Sequence, residues 1–362
     1  MQPAEVTPAP SPAPRRAVAR EVVGFIVIGA LLITAVAAGL ASLYRSFWGP
    51  SAFAERYVHL LADGRAADAL AIDGVAVGRD ALDDADLAVG ASDALLRSTA
   101  LGDGLSGIRA VGERDEGDGV TEVTVEYRID GERHETRLQV AMAGWNGLVP
   151  TWRFAASPLT EIVVDTHGSW RFTVNGFEVD KRQVSPEGLE ADPADPIPLL
   201  VFAPMEYDIS VDTATTVADP VTTVASDPLS MVDVEVDAEP SDAFQKVLDE
   251  KSASWLSEEC GSRNVLLPED CPYGYELDAL IAPGTEPEWT ITEYPDIRLT
   301  EDGAWWSIEP ADGIAHIELD MQSYVDGSIS HVSEDVPFRI DGTVELLQDG
   351  SAKIEIGAPL LR

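Results

Sequence analysis

An apolar run of 23 residues near the amino terminus constrains this chain more than any other feature. It begins at Val22, ends at Tyr44 and contains no charged residue. At about 1.5 Å of rise per residue, a helix of this length reaches roughly 34 Å, enough to cross a hydrocarbon core about 30 Å thick. We therefore expect residues 22–44 to form a single transmembrane helix, with the lipid bilayer as its partner.

The flanking charges predict the orientation of this helix. Arg15, Arg16 and Arg20 precede the run, and Arg45 follows it. Because positive residues stay cytoplasmic, we expect a cytoplasmic amino terminus and an extracytoplasmic body at the plasma membrane. The tail, residues 1–21, is rich in Pro and Ala, which predicts disorder. A cleaved signal peptide is the alternative, but its apolar region is usually about 7 to 15 residues long, shorter than this run.

The overall charge limits the partners of the body. The chain has 24 Lys and Arg residues against 64 Asp and Glu residues, a formal net charge of −40. Such a charge repels nucleic acid and anionic lipid headgroups and attracts cations or basic partners. Solubility is the simplest explanation for an acidic surface, so the charge excludes nucleic-acid binding without assigning a function.

Two cysteines, Cys260 and Cys271, lie beyond the apolar run, and the chain has no others. A close pair in an oxidising compartment predicts a disulfide bond, with two free thiols as the alternative. Two cysteines without partnering histidines do not complete a tetrahedral zinc site. We expect no metal and no cofactor.

The body opens with a unit over residues 51–158 in which helices precede an antiparallel sheet. Its first apolar residues have helical spacing, at Phe53, Tyr57, Leu60 and Leu61. Two alternating strands follow, joined by Asp130 and Gly131, a dipeptide typical of two-residue hairpins. The order of these elements and the opening FAERYVHLLADGRAADAL resemble the nuclear transport factor-like, or cystatin-like, α+β domain. This resemblance implies a curved sheet around a helix.

Residues 159–238 predict a small all-β unit, with a second hairpin link at Asn175 and Gly176. Its VNG hairpin and the later segment LLVFAPMEYDISV resemble the small β repeats of the teicoplanin-resistance-associated family of bacterial membrane proteins. That family also has one span followed by extracytoplasmic modules. The chain differs from it at Ala203 to Tyr207, where a proline-glycine turn is usual, and it has no zinc ribbon before the span. The resemblance implies an envelope-sensing or scaffolding role.

A third unit, residues 241–362, repeats the plan of the first, with a helix over SDAFQKVLDEKSASWLSEEC, the cysteine loop and then strands. The fold class expected is therefore α+β: one transmembrane helix, a cystatin-like domain, a small all-β domain and a second helix-plus-antiparallel-sheet domain. Trp289, Trp305 and Trp306 are a candidate exposed aromatic patch, although alternation on a strand directs one of Trp305 and Trp306 inward.

No catalytic pattern is present in the sequence. The five histidines form neither an HxH nor an HExxH arrangement, and the chain lacks a GxSxG elbow, an SxxK pair and a phosphate-binding glycine loop. The leading hypothesis is a non-enzymatic, membrane-anchored protein that binds, senses or scaffolds an envelope protein or a cell-wall ligand. An enzyme with a cone-shaped pocket and a passive spacer or assembly factor are the alternatives. The oligomeric state is not predicted.

Overall fold

The computed structural model describes residues 23–24, 26–36, 39, 47–147, 149–166, 168–303, 305–347 and 350–357. Residues 26–36 are helical, and their large apolar side chains are exposed, with Ile33 at 72%. A search of the described residues for a helix both long and apolar enough to cross a membrane finds none. The predicted tail, residues 1–21, and both ends of the predicted span, Val22 and Tyr44, lie outside the described residues.

The first unit has three short helices followed by a four-stranded antiparallel sheet. The helices are α1 (Pro50–Ala62), α2 (Ala66–Leu70) and α3 (Arg79–Asp84), and a 3₁₀ turn covers Ser98–Ala100. The strands β1 (Ser106–Gly117), β2 (Val120–Ile129), β3 (Glu132–Asn146) and β4 (Val149–Phe154) pair in chain order. Asp130 and Gly131 both have positive φ, at 49° and 86°, as a two-residue hairpin with the twist of its strands requires.

Helix α1 follows from its sequence. Pro50 occupies its first turn, where a missing N–H is harmless. The buried residues at helical spacing form one face: Phe53, Ala54, Tyr57, Val58 and Leu61. That face packs on the sheet, with the Phe53 and Tyr57 rings each 5.0 Å from the ring of Phe154. The helix then ends at Ala62, and Gly64 follows with a φ of 69°.

The second unit consists of two sheets. Its strands are β5 (Leu159–Asp165), β6 (Arg171–Val174), β7 (Phe177–Asp180), β8 (Ile197–Phe202), β9 (Met205–Asp212), β10 (Thr216–Ala225), β11 (Met231–Glu235) and β12 (Glu239–Pro240). One sheet has the order β12-β10-β9-β6-β7 and the other has the order β11-β5-β8, in which β11 and β5 are parallel. The helical turns α4 (Lys181–Val184) and Gly188–Glu190 lie between β7 and β8.

The first two units share one hydrophobic core. A single cluster of buried side chains runs from Phe53 to Ala238 without a break at residue 158. Hydrogen bonds also cross this boundary: the Tyr57 hydroxyl donates to the carbonyl of Ala203 at 2.9 Å, and the Thr136 hydroxyl donates to that of Ser226 at 2.6 Å. The two units therefore pack as one body.

The third unit has its own core, formed by a helix and a six-stranded antiparallel sheet. The elements are α5 (Asp242–Ser254), a π-helical turn (Trp255–Cys260), and the strands β13 (Leu280–Ile281), β14 (Glu288–Glu293), β15 (Leu299–Asp302), β16 (Trp305–Gln322), β17 (Ile329–Leu346) and β18 (Ala352–Gly357). Strands β13, β14 and β15 all pair with β16, which pairs with β17, and β17 pairs with β18. The protein is thus a mixed α+β structure with several antiparallel sheets.

The core of the third unit depends on close aromatic packing at one glycine. The Phe338 ring covers Gly313 so closely that an added Cβ would lie 2.5 Å from it. Tyr273 packs beside this ring, with centroids 5.5 Å apart, and donates its hydroxyl to Leu256 at 3.1 Å. The helical segment and the sheet are joined through this cluster.

Candidate functional site

A cavity with mainly apolar walls lies between α5 and the edge strand β18. Its volume is about 820 Å³, within the range of about 300 to 1,000 Å³ usual for small-molecule sites. The helix contributes Phe244, Val247 and Trp255, and the strand contributes Ile354 and Ile356. We call this cavity the α5–β18 cleft.

The pattern of β18 explains its wall of the cleft. Ala352, Ile354 and Ile356 alternate with exposed Lys353 and Glu355. Alternation places the three apolar side chains on the face of the sheet toward α5. They are half-buried rather than buried, so the cleft leaves apolar surface exposed to water. Lys353 and Glu355 form an ion pair at 2.5 Å on the outer face.

The pattern of α5 explains the opposite wall. Ser241 caps the helix by accepting a hydrogen bond from the Phe244 amide at 3.1 Å. Phe244 and Leu248 are buried in the core, whereas Val247, one helical position away, is 45% exposed and lines the cleft. The apolar face of α5 therefore includes more residues than the core buries, and the remaining apolar surface, such as that of Val247, faces the cleft.

Two charged side chains, Lys251 and Asp270, lie at the edge of the cleft. Lys251 is on the last turns of α5, and Asp270 directly precedes Cys271. In the part of the chain that the structure describes, neither has an ion-pair partner, and their opposite charges leave this rim without a net charge. The lining is otherwise neutral and mainly apolar.

The second unit closes one end of the cleft through the turn between β9 and β10. Ala214 and Thr215 of this turn line the cavity. The turn is tied to the start of α5, because Ser241 donates its hydroxyl to Ala214 at 2.8 Å and its amide to Thr215 at 2.9 Å. Thr213 fixes the turn from within, through its hydroxyl contact of 2.9 Å with that of Thr216.

A second cavity, of about 280 Å³, adjoins the cleft at the junction of the second and third units. Ala214, Thr215 and Gly350 line both cavities. The junction cavity is otherwise lined by Ser169, Trp170, Arg171, Glu178, Asp212, Thr213, Leu346 and Leu347. Charged and hydroxyl side chains are thus concentrated in this smaller cavity, next to the apolar cleft.

An ion-pair network at the end of β7 positions the basic side chain of the junction cavity. Asp180 accepts from Arg171 Nε at 3.3 Å and also pairs with Arg182. These guanidinium groups, Arg182 first, hold the pKa of the Asp180 carboxyl below its usual value. Trp170 is held by a hydrogen bond from its Nε1 to the carbonyl of Leu346, at 2.9 Å. The guanidinium of Arg182 lies over its ring, 5.6 Å from the centroid.

The predicted cysteine pair lies at disulfide distance, with the sulfur atoms of Cys260 and Cys271 2.09 Å apart. This bond joins the end of the π-helical turn to the loop that carries Asp270. It closes a short loop on one rim of the cleft. The pair is therefore close to the candidate site without lining it.

The three predicted tryptophans do not form an exposed patch. Trp305 is 46% exposed, whereas Trp306 and Trp289 are 4% and 5% exposed and belong to the core of the third unit. Alternation along β16 separates Trp305 from Trp306. Trp289 is directed inward because its indole N–H donates to the carbonyl of Val265 at 2.8 Å and its ring packs on Tyr273 at 4.8 Å.

A polar cluster on the outer face of β16 and β17 shares one contact pattern with hydrolases. His316 Nδ1 lies 2.7 Å from Asp335, and its Nε2 lies 3.1 Å from the Ser333 hydroxyl and 3.6 Å from Glu318. These contacts follow from the register, which pairs residue 316 with 335 and residue 318 with 333. Peptide N–H groups of a sheet lie in its plane, so those of the two described strands are not directed at an oxyanion above Ser333.

Within the described residues, no group of three or more His, Cys, Asp and Glu side chains is arranged to hold a metal ion. No protein-family model, no curated protein and no solved structure matches the chain. A functional hypothesis for this chain therefore comes from the two adjoining cavities.

Sequence reasoning did not find the cleft, although it found both of its walls. The segment SDAFQKVLDEKSASWLSEEC, which contains Phe244 and Val247, is predicted to be helical, and strands are predicted after the cysteine loop. The available signal was the number of apolar residues in α5 and β18, which is larger than the core of the third unit buries. Nothing in the sequence around Ala214 and Thr215 indicates that these residues of the second unit line the cleft.

Proposed function

We propose that this protein is a membrane-anchored, non-catalytic binding protein of the bacterial cell envelope, and that its ligand occupies the α5–β18 cleft. One observation carries the proposal: a cavity of about 820 Å³ whose walls are mainly apolar side chains left half-exposed on a helix and an edge strand. Exposed apolar surface of this kind is a typical binding site. An apolar ligand would remove that surface from water.

The anchor is the second part of the proposal. Residues 26–36 form a helix whose apolar side chains are exposed and belong to no described core. A bilayer is the environment that would cover such a helix on all sides. The asymmetry of arginines around the run supports a body outside the cytoplasm. The resemblance to teicoplanin-resistance-associated membrane proteins is consistent with the same arrangement.

The proposal is tested with the body, residues 47–362, because neither main core contains a residue before Phe53. A neutral apolar fluorophore, N-phenyl-1-naphthylamine, is titrated into the body and its emission followed. We expect saturable binding at one site. Val247→Asp should weaken it by about tenfold or more, since a carboxylate in an apolar cleft must be desolvated.

The matched control is Val111→Asp on β1 in the first unit. Val111 is 47% exposed, close to the 45% of Val247, and lies outside the cleft. This variant should bind the fluorophore like the parent body. Linear, non-saturating uptake, or equal binding by the two variants, would refute the cleft as the site.

A further inference from the structure

We infer that the ligand is an amphiphile with a positively charged ammonium head group, whose apolar part lies in the α5–β18 cleft and whose head lies in the junction cavity. This inference rests on the proposed function and names the ligand class. It is motivated by two adjoining cavities, a mainly apolar one and a smaller one lined in part by charged and hydroxyl side chains, which meet at Ala214, Thr215 and Gly350. A purely apolar ligand would leave the junction cavity unused.

The charges in the junction cavity favour a cation. Three charged side chains line it, Arg171 from β6, Glu178 from β7 and Asp212 from β9. Arg171 is paired with Asp180 at 3.3 Å, but Asp180 also pairs with Arg182, so the charge of Arg171 is only partly compensated. Within the described residues, neither Glu178 nor Asp212 has an ion-pair partner. Two carboxylates against one guanidinium give the lining an excess of negative charge, which an ammonium group would compensate.

An aromatic ring in the same cavity supports this choice. Trp170 lines it beside Arg171, and ammonium groups bind favourably against the face of an indole. The ring is fixed by the hydrogen bond from its Nε1 to Leu346, so its orientation does not depend on the ligand.

The rim of the α5–β18 cleft away from the junction cavity determines the orientation of the ligand. Lys251 and Asp270 lie there with opposite charges, so that rim does not attract a cation. A single ammonium head is therefore expected beside Glu178 and Asp212, with the apolar chain running toward Val247 and Trp255. The whole chain carries a net charge of −40, which further favours a cationic ligand over an anionic one.

The test compares single-chain amphiphiles that differ only in their head groups. Dodecyltrimethylammonium, dodecyl maltoside and dodecyl sulfate, each below its micellar concentration, displace N-phenyl-1-naphthylamine from the body. We expect the ammonium compound to bind about tenfold more tightly than the uncharged one, from two carboxylate contacts. The sulfate should bind most weakly.

The double variant Glu178→Gln/Asp212→Asn should remove the preference for the ammonium head and leave the affinity for dodecyl maltoside unchanged. Its control is Glu132→Gln/Asp118→Asn in the first unit, which changes the net charge equally at exposed positions outside both cavities. This control should retain the preference. If it loses the preference as well, the overall charge is responsible and the inference is wrong.

A further measurement does not depend on the folding of any variant. In about 1 M salt, where the screening length is roughly 3 Å, the preference of the parent body for the ammonium head should fall severalfold. A preference that survives salt, or is absent from the start, overturns the inference. If the fluorophore still binds and Val247→Asp still weakens it, the proposed function stands. If no probe binds, both fail.

Discussion

The buried Lys181 predicts an unusual dependence of stability on pH. Its side chain is fully buried in the second unit. The ammonium donates to the carbonyl of Pro193 at 2.5 Å and to that of Asp195 at 3.0 Å. Burial lowers the pKa of Lys181 to about 8, although Asp165, Asp195 and Asp192 partly oppose this shift.

The direction of the change in stability with pH follows from the pKa of Lys181 in the native and unfolded states. In the unfolded chain the lysine keeps its usual pKa of about 10.4, so between about pH 8 and pH 10 the unfolded state binds a proton that the native state has lost. Stability must therefore rise with pH across this window. Between pH 7 and pH 9.5 we expect a gain of about 2 kcal/mol in the free energy of unfolding from this group alone.

The assay is urea unfolding of the body at pH 7 and pH 9.5, for the parent and for Lys181→Met. The difference in stability between the two proteins should shift by about 2 kcal/mol between the two pH values, in favour of the parent at pH 9.5. The upper limit is 9.5 because burial raises the pKa of Tyr57 and Tyr207. Their raised pKa adds stability that is lost as the pH rises above about 10.

Lys246→Met is the control. Lys246 is an exposed residue of α5 with a weak ion pair to Glu250 at 3.8 Å. The stability of this variant relative to the parent should not change between pH 7 and pH 9.5. A difference between the parent and Lys181→Met that is the same at both pH values would refute the reasoning, since it would mean that Lys181 titrates alike in both states.

Three further changes have predicted outcomes. Tyr127→Phe should leave the stability in urea unchanged or raise it by about 1 kcal/mol, because the buried Tyr127 hydroxyl has no hydrogen-bond partner among the described residues; a loss of stability would contradict this. Replacing Cys260 and Cys271 by serine should lower the unfolding free energy of the third unit by about 2 to 3 kcal/mol, measured in denaturant, because the bond closes a short loop; equal midpoints would argue against it. A fluorophosphonate probe should not label Ser333, since the peptide N–H groups of the two described strands are not directed at an oxyanion there. Labelling that mass spectrometry maps to Ser333 and that Ser333→Ala removes would indicate that the protein is an enzyme.

Local sequence signals predicted much of the fold. The dipeptides Asp130-Gly131 and Asn175-Gly176 each have positive φ at both residues and join antiparallel strands. Helices α1 and α5 begin near the predicted positions because Pro50 and Ser241 are strong helix-start residues. Such signals act within a few residues, which is why they can be read from one sequence.

Long-range packing could not be predicted in this way. The parallel pairing of β11 with β5 brings together segments about seventy residues apart. The core shared by the first two units depends on contacts such as that of Tyr57 with Ala203. The cleft was missed for the same reason, because α5 and β18 are about a hundred residues apart in the sequence.

The start of the body restricts how it can sit relative to the proposed anchor. The carbonyl of Trp48 accepts a hydrogen bond from the Trp152 indole at 2.8 Å, and the Ser51 hydroxyl donates to Glu113 at 2.6 Å. These contacts fix Trp48 and the first turn of α1 to the first sheet. If residues 22–44 cross the membrane as proposed, the first unit must lie close to the bilayer surface, because three residues separate Tyr44 from Trp48. The first two units share a core, and Ser241 ties the second unit to α5, so the cleft would be held in a defined position relative to the membrane.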